Sequence, residues 1–125
     1  MIRIGINGFG RIGRAVLRQT LNDNRFTVVG INDLTDPNTL AHLLKYDSTH
    51  GILKEEIYVD ESNLVVNSKK VRIFSEPDPK QIQWSKIDVD IVLECTGRFT
   101  KKEDASLHIL SGAKNVIISA PSPDA

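Results

Sequence analysis

The stretch Ile2-Arg3-Ile4-Gly5-Ile6-Asn7-Gly8-Phe9-Gly10-Arg11-Ile12-Gly13-Arg14 decides the fold, because it sets a G-x-G-x-x-G pattern between two segments of different period. Ile2, Ile4 and Ile6 alternate as a strand does, whereas Ile12, Val16, Leu17 and Leu21 recur at helical spacing with Arg11, Arg14 and Arg18 on the opposite face. Strand, glycine turn and helix therefore follow in order. Asp33 lies twenty residues beyond Gly13, after a second strand-like run, where an acid would hydrogen-bond an adenosine ribose. These are the parts of a dinucleotide fingerprint.

Each part has its own chemistry. The start of a helix offers unpaired N–H groups and about half a positive charge, so the backbone at Arg11 and Ile12 is expected to hold a pyrophosphate. Gly8 permits the tight turn, Gly10 removes the side chain that would keep phosphates away, and Gly13 lets the helix lie against the first strand. The Asp33 carboxylate can accept from ribose hydroxyls but would repel a 2′-phosphate. No Lys or Arg lies between Ile31 and His42, so NAD is favoured over NADP.

Beyond the fingerprint, Phe26-Thr27-Val28-Val29-Gly30-Ile31 reads as a second parallel strand. Asp36 and Pro37 read as the N-cap and first position of a helix that buries Leu40, Leu43 and Leu44 and ends near Tyr46. From Ile57 to Phe74 short strand-like runs alternate with polar turns, the pattern of an antiparallel meander inserted in a parallel scheme, closed by Pro77 and Pro79. Asp90-Ile91-Val92-Leu93-Glu94-Cys95 is a further apolar strand ending at Thr96-Gly97. Thr100-Lys101-Lys102-Glu103 is a capping box for a helix that Gly112 stops. Asn115 to Ser119 reads as a last buried strand. The whole of residues 1–125 is expected to be one doubly wound α/β domain of Rossmann type, with the ligand at the carboxyl edge of its mostly parallel sheet. Thr96, Gly97, Ser119 and Ala120, at strand ends, would line that edge or serve as ordinary turn residues.

Composition excludes other classes. The chain has 125 residues, with 16 basic and 16 acidic side chains, so it lacks the positive field that holds nucleic acid or an anionic membrane. No apolar run approaches the roughly 20 residues of a membrane span. One cysteine permits no internal disulfide, and Met1 leads straight into a strand, which points to a soluble, cytoplasmic protein. Cys95 reads as a small buried strand residue rather than a nucleophile. His42, His50 and His108 lack metal-ligand spacing and read as surface or helix-end residues, so no metal is expected. Trp84 reads as a packing anchor.

Five segments together carry a family resemblance: Ile6 to Arg14, Asn32-Asp33, Leu43 to Gly51, Glu94-Cys95-Thr96-Gly97 and Ile117 to Ser122. In this order they resemble the N-terminal domain of phosphorylating glyceraldehyde-3-phosphate dehydrogenases, over essentially the whole chain. The resemblance implies a Rossmann domain binding NAD within a homotetrameric glycolytic enzyme. That enzyme oxidises glyceraldehyde 3-phosphate with inorganic phosphate to 1,3-bisphosphoglycerate. It implies that Asn7, Gly8, Gly10, Arg11, Ile12 and Gly13 form the cofactor loop, that Asp33 meets the adenosine ribose, and that Thr96, Gly97, Phe99, Ser119 and Ala120 complete the cofactor wall. Pro77 stands where many members carry an arginine, and Arg98 replaces a common valine. The resemblance places the catalytic cysteine, its histidine and the phosphate sites in a second domain beyond Ala125, so these 125 residues alone are expected to be inactive. A returning C-terminal helix would cover an apolar groove of this domain, whose absence is expected to lower stability. A stand-alone NAD-binding module without catalysis is the alternative, and another adenine nucleotide is a third possible ligand.

Overall fold

Strand β1 (Ile2–Asn7) buries Ile4 and Ile6 on one face of a sheet, and the chain then turns through the glycine loop into helix α1 (Arg11–Thr20). The computed structural model describes residues 1–21, 23–46, 56–67, 69–96 and 106–118. Strand β2 (Phe26–Asn32) runs parallel to β1, and helix α2 (Pro37–Lys45) follows. The Asp36 side chain accepts from the Thr39 N–H at 3.0 Å, with Pro37 in the first turn, so α2 starts as its sequence predicts. A helix of nine residues is too short to persist alone. Burial of Leu40 and Leu44, worth roughly 1.5–3 kcal/mol each, holds it on the sheet.

The meander follows as β3 (Ile57–Asp60), β4 (Asn63–Val66) and β5 (Lys69–Phe74), each antiparallel to the next. Its last strand then pairs parallel with β2, joining the excursion to the main sheet. Two short 3₁₀ turns, Pro79–Gln81 and Trp84–Ile87, lead to β6 (Ile91–Glu94), and helix α3 (Leu107–Leu110) precedes β7 (Asn115–Ile118). Among the described residues the sheet has seven strands in the order β3-β4-β5-β2-β1-β6-β7. The chain thus builds outward from β1 through β2, then returns to the other side of β1 with β6. The reversal of winding lies between β1 and β6, where open α/β sheets bind ligands.

Two cores sandwich the sheet. Ile4, Ile6, Leu17, Ile31, Leu40 and Leu44 pack beneath α1 and α2. On the opposite face Trp84 is fully buried with Ile82, Val89 and Val92, as expected of an anchor. Its indole lies against two paired glycines. A Cβ at Gly5 would come within 2.8 Å of the ring, and one at Gly30 within 3.1 Å. A bulge between Val28 and Gly30 shifts the register so that these glycines face each other.

Several expectations need correction. Ile12, expected on the buried face of α1, is 53% exposed, while the neighbouring Gly13 is the residue of that turn that packs on Ile6 of β1. Arg14 and Arg18, on the face opposite the apolar one, are half-buried and donate to the carbonyls of Phe9 and of Leu44. Leu43 is at the surface, turned away from buried Leu40 and Leu44. The run read as a last buried strand has, among the described residues, a neighbour strand on one side only, and Ile117 is exposed. His108 is fully buried rather than superficial. Cys95 follows β6 instead of lying in it and is half-buried. The capping box at 100–103 falls outside the described residues, but Gly112, at φ +118°, ends α3 as expected. No helix among the described residues is long and apolar enough to cross a membrane.

Candidate cofactor site

At the carboxyl edge the last residues of three adjacent parallel strands stand side by side: Glu94 of β6, Asn7 of β1 and Asn32 of β2. All three are buried. The ladder continues past them, since Gly8 N–H donates to Asn32 C=O and Cys95 N–H to Asn7 C=O, both at 2.8 Å. This pins the loop after β1 against the segments after β2 and β6. Between them opens a cavity of ≈ 290 Å³. Its floor and near wall are Asn7, Gly8, Gly10, Cys95 and Thr96, and its far wall is Asn32, Asp33, Leu34, Glu76 and Pro77.

The three fingerprint glycines have three different environments. Gly8 sits at φ +92°, a conformation natural to glycine, and a Cβ there would come within 2.8 Å of the Thr96 side chain. Gly13 lies beneath the loop, where a Cβ would meet the Gly8 carbonyl oxygen at 2.8 Å and Ile6 at 3.0 Å. At Gly10 a Cβ would meet nothing within 4 Å. Gly10 is also the N-cap of α1, with no side chain capping it and no acid in the first turn. Arg11 and Ile12, exposed, open that helix beside the cavity.

Asp33 reaches back to the loop. Its Oδ2 accepts from the Phe9 N–H at 2.7 Å and its Oδ1 from the Thr35 N–H at 2.9 Å. Each carboxylate oxygen keeps a further lone pair for an incoming hydroxyl. The open space at Gly10, the uncapped helix start and the acid across the cavity fit a dinucleotide. Thr96 and Asn7 also line the cavity as the sequence suggests, whereas Gly97, Phe99, Ser119 and Ala120 fall outside the described residues. Among the described residues no three His, Cys, Asp or Glu side chains gather where a metal ion could be held.

Periodicity did not reveal the polar network beneath the cavity. Glu94 Oε1 receives the Asn7 side-chain amide at 2.6 Å and His108 Nε2 at 2.7 Å, and its Oε2 receives the Thr96 N–H at 3.0 Å and hydroxyl at 2.7 Å. Trp84 Nε1–H, which can only donate, lies 3.1 Å from His108 Nδ1 and so leaves the ring proton on Nε2, facing Glu94. Burial by itself would raise the Glu94 carboxyl, but hydrogen bonds from His108, Thr96 and Asn7 outweigh it and hold it below the usual carboxylate range. On the other side, the Asn32 amide donates to Asn7 Oδ1 at 2.8 Å and to the Glu76 carbonyl at 2.9 Å, and accepts from the Glu76 N–H at 2.9 Å. The one signal in the sequence is a lone acid closing an apolar strand run at Ile91-Val92-Leu93-Glu94.

Residues 2–102 match the family model described as glyceraldehyde 3-phosphate dehydrogenase, NAD binding domain. The chain is 60% identical over 123 residues to the glyceraldehyde-3-phosphate dehydrogenase of Priestia megaterium, covering 98% of this chain and 37% of that protein. It is 59% identical over 120 residues to that of Geobacillus stearothermophilus, covering 96% of this chain and 36% of that one. The chain therefore spans a little over a third of the length of these relatives. NAD is the cofactor of this domain, and the chain belongs to the glyceraldehyde 3-phosphate dehydrogenase NAD-binding domain family.

Proposed function

We propose that this chain is the cofactor-holding part of a phosphorylating glyceraldehyde-3-phosphate dehydrogenase. The complete enzyme would be a cytoplasmic homotetramer that oxidises D-glyceraldehyde 3-phosphate with inorganic phosphate to 1,3-bisphosphoglycerate. Bound NAD supplies the hydride acceptor. The chain's own residues hold and orient it, and the residues that act on the aldehyde belong to a catalytic segment distinct from these 125 residues, which alone would not turn over substrate.

The observation that carries the reading is the open space at Gly10, at an uncapped helix start and facing the cavity. The pyrophosphate takes that place, against the backbone N–H groups of Arg11 and Ile12. Asp33 accepts from the adenosine ribose hydroxyls, and its charge disfavours a 2′-phosphate. Asn7, Gly8 and Thr96 form the adjoining wall and Gly13 seats the helix, with Gly97, Phe99, Ser119 and Ala120 proposed as further cofactor contacts. Calorimetric titration tests this: NAD binds, NADP binds at least about tenfold more weakly, and Asp33→Ala weakens NAD by about tenfold, the loss of one to two hydrogen bonds. Undiminished NAD binding by Asp33→Ala removes Asp33 from the site.

A further inference from the structure

The side-chain amides of Asn7 and Asn32 have no preferred direction of their own, yet the network allows them only one. A carboxylate offers acceptors alone, so Glu94 requires Asn7 to turn its NH₂ toward it at 2.6 Å. Asn7 Oδ1 then faces Asn32, which must present its own NH₂ at 2.8 Å. This leaves Asn32 Oδ1 for the Glu76 N–H at 2.9 Å. We propose that Glu94 is a positioning residue that sets the direction of an amide relay across β6, β1 and β2, and so holds both the Thr96 wall and the Glu76–Pro77 wall of the cavity in register for the cofactor. The part that concerns the cofactor rests on the placement of NAD in this cavity.

The consequence of removing the charge follows bond by bond. In Glu94→Gln only one of the two positions can still accept; with the amide oxygen on Thr96, whose N–H and hydroxyl donate to that side at 3.0 and 2.7 Å, the NH₂ takes the place at which Asn7 and His108 Nε2–H now donate. The new NH₂ then faces Asn7, which must turn its oxygen to it and its NH₂ to Asn32. Asn32 must turn in response, and the Glu76 N–H is left facing a donor. Glu94 is coupled in this way to a loop on the far wall that it does not touch. Adding Asn7→Asp reverses the effect: both oxygens of the new carboxylate accept, one from the NH₂ introduced by Glu94→Gln and one from Asn32, so Asn32 and Glu76 keep their native arrangement. His108 Nε2, 3.5 Å from the Asn7 amide nitrogen, then finds a carboxylate oxygen there.

The test is amide hydrogen exchange read by NMR on the full 125-residue chain without cofactor. In Glu94→Gln the Glu76 amide exchanges roughly tenfold faster, the factor set by one hydrogen bond, and Glu94→Gln/Asn7→Asp restores its protection. Changed resonances at Thr96 and His108 with Glu76 unaltered would mean a local structural role only and would overturn the relay. If the single variant does not fold, the double variant decides: a fold with native Glu76 protection supports the relay, and failure to fold or an unprotected Glu76 overturns it. NAD titration in parallel separates the two layers. Unchanged affinity in Asp33→Ala counts against the cavity as the NAD site while leaving the exchange result standing. Weakened binding in Asp33→Ala with unchanged binding in a folded Glu94→Gln denies the relay any role in holding the cofactor; about tenfold weaker binding in both supports it.

Discussion

At Gly10 an added methyl group would enter open space, while at Gly13 it would meet a carbonyl oxygen at 2.8 Å and at Gly8 it would combine a close contact with a backbone at φ +92°. Three glycines of one motif should therefore answer the same substitution differently. Gly10→Ala is expected to leave stability within about 0.5 kcal/mol but to weaken NAD at least about tenfold. Gly8→Ala and Gly13→Ala are expected to cost about 1–3 kcal/mol each. Chemical denaturation beside calorimetric titration checks the split; equal unfolding costs at Gly10 and Gly13 would refute it. Sequence spacing distinguishes these glycines only by analogy with the motif, since what separates them is the distance from each Cα to atoms of β1 and of the segment after β6.

At the scale of elements, the carboxyl ends of β1, β2 and β6 are tied by one buried network whose charge is Glu94. His108→Ala removes the partner of both Glu94 and the Trp84 indole from a fully buried site, and is expected to cost about 3 kcal/mol or more in a denaturant titration. The pH dependence has a definite sign. Because the folded Glu94 carboxyl is held lower than in the unfolded chain, its stabilisation is complete above the ordinary glutamate value of about 4.3 and is lost as pH falls through the folded value. Melting curves of wild type and Glu94→Gln should thus converge on acidification and lie furthest apart near neutrality. Little of this was legible beforehand. The partners are 87 residues apart for Asn7 and Glu94 and 14 apart for Glu94 and His108, and no local period reports a contact between side chains on separate strands. A histidine in a short helix reads as superficial until its acceptor is known.

For the molecule as a whole, the alternation of strand and helix through β2 and α2 and the two-residue period of the meander were legible, because each reflects burial on a face set by local geometry. The one-sided pairing of β7 among the described residues was not, since an apolar run carries no record of how many neighbours its strand will have. The paired glycines of β1 and β2 were present in the sequence, but their purpose depends on Trp84, more than fifty residues further on. NAD acts on this same assembly by mass action. At a hundred times its dissociation constant it should add about 2.7 kcal/mol and raise Tm by roughly 8–12 °C, which differential scanning fluorimetry would detect with an external dye; no shift would refute NAD binding to the native chain. An internal optical probe is also available. The chain has a single tryptophan, and its ring rests on the sheet while its N–H ends the hydrogen-bonded series that begins at the cavity. Its intrinsic emission is thus a label-free gauge of the state of the site, wired in through His108 and Glu94.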